Sequence, residues 1–310
     1  MNGICPICLE SMSGDETHAH CRRELYGSDA APVLDVALSD IERRAVESVN
    51  RSLSVTGVQR KLSVSYLSES GTPRLTVMGA LGGTHILKPP SHEYPGMPEL
   101  EHWSMRLAAK VGIRVAHCGL IPLASGEMAY VTRRFDREGG RRVHVEDFCQ
   151  LSEQPTNDKY RSSMEKVGTL ARRWATVPGE EALRVFGVTV FCLLTANSDM
   201  HLKNWSLLRH GKRLALSPAY DLLPTRLLTD DPEEFALPIN GRKAQIARRD
   251  LLVLAKHMRL PDSVASRQLD WLRDAVPRAM EDRPSPWVRQ GQAEWLKTYA
   301  RKMSDRLGIA

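Results

Sequence analysis

No stretch of this 310-residue chain is long and apolar enough to cross a bilayer. The longest apolar run, Val185 to Ala196, follows Arg184 and falls well short of the roughly 20 residues a membrane helix needs. It reads instead as a buried core helix. The amino terminus, Met1-Asn2-Gly3-Ile4-Cys5-Pro6, lacks both the basic start and the apolar stretch of a secretory signal, so a cytoplasmic protein with no membrane partner is expected. There is no internal repeat and no low-complexity tract. The phosphate-binding pattern G-x-x-x-x-G-K-[ST] is also missing, which excludes a Walker-type nucleotide loop. A disulfide framework is not expected in a long cytosolic chain, and Cys118, Cys149 and Cys192 lie in core-like segments as buried thiols.

What is present is an ordinary globular composition, with 42% hydrophobic and 26% charged residues, enough for one large core or two packed lobes. The net charge of +6 suits a nucleic acid, an acidic protein or a polyphosphate substrate alike. The arginine pairs Arg133-Arg134, Arg141-Arg142 and Arg172-Arg173 are short and dispersed, as on solvated faces.

The most informative run is Thr195-Ala196-Asn197-Ser198-Asp199-Met200-His201-Leu202-Lys203-Asn204, with Asp221 downstream in Ala219-Tyr220-Asp221-Leu222. Kinase chemistry uses one carboxylate to accept the substrate hydroxyl proton, an amide oxygen five residues later to hold metal, and a later carboxylate to bridge metal and phosphates. Asp199, Asn204 and Asp221 fit those roles in order. The run follows the apolar segment 182–196 and precedes Trp205-Ser206-Leu207-Leu208, which reads as a short strand. A loop between a buried helix and a strand gives such ligands a rigid mount.

Upstream, Leu62, Val64 and Tyr66 alternate as on a half-buried strand, Leu75 and Val77 lie on a returning strand, and Thr84-His85-Ile86-Leu87-Lys88 forms another before Pro89-Pro90. Gly57 allows close backbone approach to a phosphate, with Ser54, Thr56 and Lys61 adding hydroxyls or charge. Lys88 is either a phosphate-reaching strand lysine or an edge charge. Its test is a partner carboxylate, and Glu101, on a helix expected from about Glu99 to Val111, is either that partner or a solvated residue. A strand pair is expected over Cys118–Ile121 and Met128–Thr132, turning at Ser125-Gly126. It leads to Arg133-Arg134-Phe135, where Phe135 either packs against an adenine ring or packs in the core.

Cys5, Cys8, His18, His20 and Cys21 offer thiolates and imidazoles at a spacing that could close a tetrahedral zinc site, with free thiols or redox chemistry as the other reading. The second half lacks the usual C-x-x-C or H-x-x-x-H form. Helices are expected over residues 250–260, 264–280 and 287–307.

Taken in order, T-G-V-Q-R-K, H-I-L-K, R-R-F-D-R, V-E-D-F-C-Q, N-S-D-M-H-L-K-N-W and P-A-Y-D resemble the HipA kinases over Ser52 to Asp221. The resemblance implies an α+β, two-lobed protein-kinase-like fold with a small β-rich N-lobe and a larger helical C-lobe. The expected organisation is a Cys/His segment over 1–30, an N-lobe over 31–132 and a kinase C-lobe over 133–310. It also implies an ATP- and Mg²⁺-dependent serine/threonine kinase, the toxin of a type II toxin–antitoxin module acting on an aminoacyl-tRNA synthetase.

Carried over by residue, Thr56, Gly57, Val58, Gln59, Arg60 and Lys61 form the phosphate loop, Lys88 contacts ATP, and Arg133, Arg134 and Phe135 line the adenine connector. Asp199 is the catalytic base. His201, Leu202, Lys203 and Asn204 form the nucleotide and metal loop, and Tyr220 and Asp221 the second metal position. Ser54, with Thr56 as a second candidate, falls where the family can autophosphorylate; a phosphate there opposes nucleotide binding.

The implied partners are a protein substrate, a HipB-like helix-turn-helix antitoxin that alone reaches DNA, and a small protein supplying the amino-terminal subdomain that shorter HipT-like kinases lack. The Cys5–Cys21 segment is not part of the standard toxin. Glu146, Asp147 and Gln150 either position the substrate hydroxyl or cap a helix. Two other functions fit the same residues: a small-molecule kinase of related architecture, and a non-catalytic regulator binding nucleotide, antitoxin or DNA.

Overall fold

The computed structural model describes residues 3–14, 17–34, 36–41, 61–68, 72–78 and 82–309. The chain divides into two compact units: one of Met1–Arg106, Ala116–Arg134 and Ser285–Val288, the other of Leu107–Val115, Phe135–Pro284 and Arg289–Ala310. Among the described residues no helix is long and apolar enough to cross a membrane.

The first unit begins with a short hairpin-like turn closed by a bridge between Ile4 and Ser11, then helix α1, Ala19–Tyr26. Gly27 ends α1 in the left-handed region at φ 74°, and its N–H returns to the Arg23 carbonyl, the usual role of a glycine at this position. An antiparallel five-stranded sheet follows, built from β1 (Leu62–Leu67), β2 (Arg74–Val77), β3 (His85–Lys88), β4 (Cys118–Pro122) and β5 (Met128–Arg133) in the order β2-β1-β3-β5-β4. Helix α2, Met97–Lys110, lies between β3 and β4 in sequence, with Glu99 in its first turn and Lys110 in its last, both favourable to the helix dipole. Period-two alternation buries Val64 and Leu87, and the core they join includes Cys5, Ile7, Cys8, Cys21, Leu25, Ile121, Ala129 and Val131. The amino-terminal cysteine segment is thus part of this unit's core rather than a tail.

In the second unit a small β6–β7 hairpin (Arg137–Glu138 with Arg141–Arg142) precedes β8, Val145–Asp147, and the one-turn helix α3, Phe148–Leu151. Helices α4 (Met164–Trp174) and α5 (Pro178–Leu194) follow, then β9 (Ser206–His210) and β10 (Arg213–Leu216), which with β8 form a sheet ordered β10-β9-β8. Helices α6 (Arg248–His257), α7 (Asp262–Asp282) and α8 (Gln290–Gly308) complete it.

From Val185 to Leu194 α5 is buried on every side, because α4, α7 and α8 all pack against it. Pro178 opens it at a position that has no intrahelical N–H bond to lose, and its only deeply buried charge, Glu181, is held by Arg184 at 2.6 Å and by the Leu216 N–H at 3.1 Å. Glycines set the closeness of these contacts: a Cβ at Gly168 would stand 2.5 Å from Met258 Cγ, and one at Gly187 2.4 Å from Gln268 Nε2.

Candidate active site

Within the first unit, Lys88 ends β3 with its side chain buried, and Nζ lies 2.7 Å from Oε1 of Glu101, itself 1% exposed. Glu101 is therefore the partner carboxylate, not a solvated residue. The Tyr130 ring of neighbouring β5 lies beneath the ammonium, 5.5 Å from Nζ to its centroid. A buried ion pair rarely outperforms apolar residues in stability, so its presence between this strand and helix points to a chemical use for the lysine.

Within the second unit, the Asp199 loop is mounted by the end of α5. The Asn197 N–H bonds back to Cys192 O at 2.9 Å across Ala196, which adopts φ 59°, so the chain turns sharply out of the helix. The Asn197 side chain then joins both arms of the site: Oδ1 accepts from the Asp199 N–H at 3.1 Å, and Nδ2 donates to the Asp221 carbonyl at 3.3 Å. Asn204, buried on a single 3₁₀ turn over Leu202–Asn204, donates Nδ2 to Asp199 O at 2.9 Å, which leaves Oδ1 as its acceptor. Ser198 is pinned through its N–H and hydroxyl to Thr225 Oγ1 at 2.9 and 3.0 Å. Asp221 itself sits at φ 55°, a conformation costing a non-glycine residue of order 1 kcal/mol or more, which persists where surrounding structure enforces it. Asp199, Asn204 and Asp221 are thus brought together by one hydrogen-bonded frame.

Around this frame, Asp147 caps α3 with a reciprocal bond to Gln150, the capping reading of V-E-D-F-C-Q, and its other oxygen holds Lys203 Nζ at 2.7 Å. Glu146 accepts from His144. The Tyr220 hydroxyl meets Lys203 O at 2.7 Å and Ser206 Oγ at 2.6 Å, and its ring packs on Phe135, centroids 5.5 Å apart. Leu202 is fully buried. His201 is buried with Nδ1 lacking a hydrogen-bond partner, and desolvation lowers its pKa, keeping the ring neutral. Tyr160, which the sequence reading did not single out, donates its hydroxyl to Asp199 Oδ1 at 2.7 Å and meets His201 edge-on. Desolvation and the Asp199 carboxylate raise its pKa, so it remains a donor.

A cavity of about 260 Å³ touches Asn204 and Ser206 and is otherwise lined by residues such as Arg114, Arg184, Met200 and Gln268. Neither Asp199 nor Asp221 lines it, so it is not where reacting atoms would meet.

Of the remaining expected residues, Arg133 donates to the Glu24 carbonyl at 3.0 Å, the Arg134 N–H to Thr84 O at 2.9 Å, and Lys61 is exposed. Ser54, Thr56, Gly57, Val58, Gln59 and Arg60 lie outside the described residues.

The cysteine segment makes a second cluster. Sγ of Cys5, Cys8 and Cys21 and a ring nitrogen of His18 all lie within 4.8 Å of one another. Hydrogen bonds from Cys21 and Cys8 hold the Cys5 thiol below the ordinary range, while the same contact with Cys5 pushes Cys21 up.

Comparison with known proteins gives concordant results. The family model described as HipA-like C-terminal domain matches residues 53–280. The chain is 33% identical to Y4dM of Sinorhizobium fredii over 81% of its own length and 63% of that protein's. It is 26% identical to the serine/threonine-protein kinase toxin HipA of Shewanella oneidensis over 74% of the chain and 57% of that toxin. It therefore spans less than two thirds of these relatives. Among solved structures, the fold matches HipA in a Shewanella oneidensis complex of HipA, HipB and operator DNA, with TM-score 0.70 at 21% identity, covering 86% of this chain and 70% of that one. It also matches the Helicobacter pylori proinflammatory kinase CtkA, with TM-score 0.51 at 15% identity, covering 72% of this chain and 87% of that one. The fold is α+β and kinase-like.

Proposed function

Because the chain belongs to the HipA-like family, we propose that it is an ATP-dependent protein serine/threonine kinase, the toxin of a type II toxin–antitoxin module. The observation that carries this reading is the frame in which Asn197 and Asn204 tie Asp199 and Asp221 together by three hydrogen bonds.

The donor set fits the cofactor. A carboxylate on Asp221 and an amide oxygen on Asn204 are hard oxygen ligands of the kind Mg²⁺ takes alongside phosphates. When bound, MgATP supplies the phosphoryl group and the charge neutralisation of its transfer. The residues do the rest. Asp199 orients a substrate hydroxyl and accepts its proton, with Tyr160 fixing the carboxylate's rotation. Lys88, held rigid by Glu101, contacts the nucleotide phosphates. His201 offers its unpartnered Nδ1 to the nucleotide, Lys203 adds positive charge, and Tyr220 braces the loop from below. Arg133, Arg134 and Phe135 form the adenine connector, and residues 56–61 the phosphate loop.

The protein substrate proposed is a translation-related protein such as an aminoacyl-tRNA synthetase, with Ser54 or Thr56 as autophosphorylation sites. The Shewanella HipA in complex with HipB and operator DNA supports a HipB-like antitoxin as the partner through which the chain reaches DNA. A small protein supplying an amino-terminal subdomain is a further proposed partner.

The test is intact-mass and phosphopeptide analysis after incubating the purified full chain with MgATP and a host protein extract. Phosphoserine or phosphothreonine on the chain or on a synthetase, lost in Asp199→Ala, is expected. Phosphate found only on a small alcohol, or labelling unchanged by Asp199→Ala, overturns the reading.

A further inference from the structure

We propose that Cys5, Cys8, His18 and Cys21 form a tetrahedral zinc site that fastens the amino-terminal segment to the first unit and, through it, braces the strand and helix carrying Lys88 and Glu101.

The ligand geometry comes first. Zinc bonds of about 2.3 Å to sulfur place tetrahedral ligands about 3.8 Å apart. His18 Nδ1 lies 3.3 Å from Cys8 Sγ and 3.9 Å from Cys21 Sγ. Its Nε2 lies 3.1 Å from the Ser11 carbonyl, a bond that puts the proton on Nε2 and leaves the Nδ1 lone pair facing the thiols, the arrangement by which metal-binding histidines are oriented. The thiols are presented by a turn and by α1: Cys5 N–H bonds Glu10 O, Leu9 N–H bonds Cys5 O, and Cys21 lies in the first turns of the helix. All three cysteines are buried. His20 Nε2 reaches Cys21 at 3.2 Å but touches no other thiol and is exposed, so it is a neighbour rather than a fourth ligand. Binding one Zn²⁺ displaces the thiol protons to solvent and fills the set with three thiolates and a neutral imidazole.

The second step concerns what this segment holds. Its backbone carbonyls are the acceptors for the sheet and helix of the first unit. Pro6 O takes the Leu120 N–H of edge strand β4 at 2.8 Å, Ile7 O takes His102 Nε2 at 3.1 Å, and Leu25 O takes His85 Nε2 at 2.8 Å. His102 is the residue next to Glu101, and His85 opens the strand that Lys88 ends. Glu101 therefore adjoins a side chain anchored on the segment, and Lys88 shares a four-residue strand with another. Gly119 shows how close the fit is, since a Cβ there would stand 3.0 Å from both Ile7 Cγ1 and Leu25 Cδ2.

The experiment uses the tag-free full chain. Elemental analysis is expected to find about one zinc per chain, and Co²⁺ replacement to give the ligand-field and thiolate charge-transfer bands of a four-coordinate thiolate site. Cys8→Ser and Cys21→Ser should lose the metal, and His20→Ala should keep it. Chelation should lower the melting temperature and speed amide exchange over residues 85–88 and 97–106. A parent protein that refuses zinc on titration, or that holds a disulfide among these cysteines instead, overturns the site. Unchanged exchange after chelation overturns the bracing. These readouts need no catalysis, so a zinc-loaded chain that transfers no phosphate would defeat the kinase reading alone.

Discussion

At the scale of single residues, the site separates chemistry from positioning. Asp199→Asn is expected to lower phosphoryl transfer about 10²–10⁴-fold, the range for loss of a general base, with little change in melting temperature because the backbone bonds to Asn197 and Asn204 survive. Tyr160→Phe removes one hydrogen bond to a charged group and should cost about tenfold in kcat, read in the same labelling assay. Tyr160 was invisible in the sequence because it lies far upstream of Asp199, with no motif to link them. A third expectation is a pH dependence of stability. Burial holds the His102 pKa down to about 4 from an ordinary 6.5, so the unfolded chain binds more protons between those values. His102 is then fully compatible with folding above pH 6.5, and stability falls as the pH drops toward 4, by about 3 kcal/mol for this group. Denaturant titrations of the parent and of His102→Gln across that range check it; a slope identical in both would show that the proton goes elsewhere.

At the scale of elements, the readable parts were those with a strong period or a strong stop. The apolar run that became α5, the alternation of β1, the Ser125-Gly126 turn and the three closing helices all follow from hydrophobic spacing and turn chemistry, within a few residues at their ends. Glu101 facing Lys88 was legible only as one of two options, since helical spacing gives a face but not what lies opposite. The three-residue β8, which brings Asp147 beside Ser206 and so within reach of Lys203, carries no periodic signal of its own and exists through pairing with β9. The role of Asn197 was hidden for the same reason: its partner Asp221 is distant in sequence. Contact between elements also predicts a pair of opposite effects. Gly119→Ala crowds β4 against Ile7 and Leu25 and should destabilise by about 1–3 kcal/mol. Gly291→Ala, in α8 with nothing near the added carbon, should stabilise by about 0.5 kcal/mol. Urea unfolding reads both.

At the scale of the whole molecule, ligand linkage gives the broadest check. Saturation with MgATP at about a hundredfold excess over Kd should raise stability by about 2.7 kcal/mol, visible as a higher melting temperature. Asn204→Ala and Asp221→Ala should remove the Mg²⁺-dependent part of that rise. The chain's basic balance, with a sequence pI near 9.0, suits phosphate-rich ligands without choosing among them. One further property follows from the docking of the cysteine segment. Its acceptor carbonyls at Pro6 and Ile7 are translated before the donors at His102 and Leu120, which leave the ribosome about a hundred residues later. During synthesis the cysteine segment therefore waits, and metal captured by the nascent chain would keep it shaped until the strand it must border arrives.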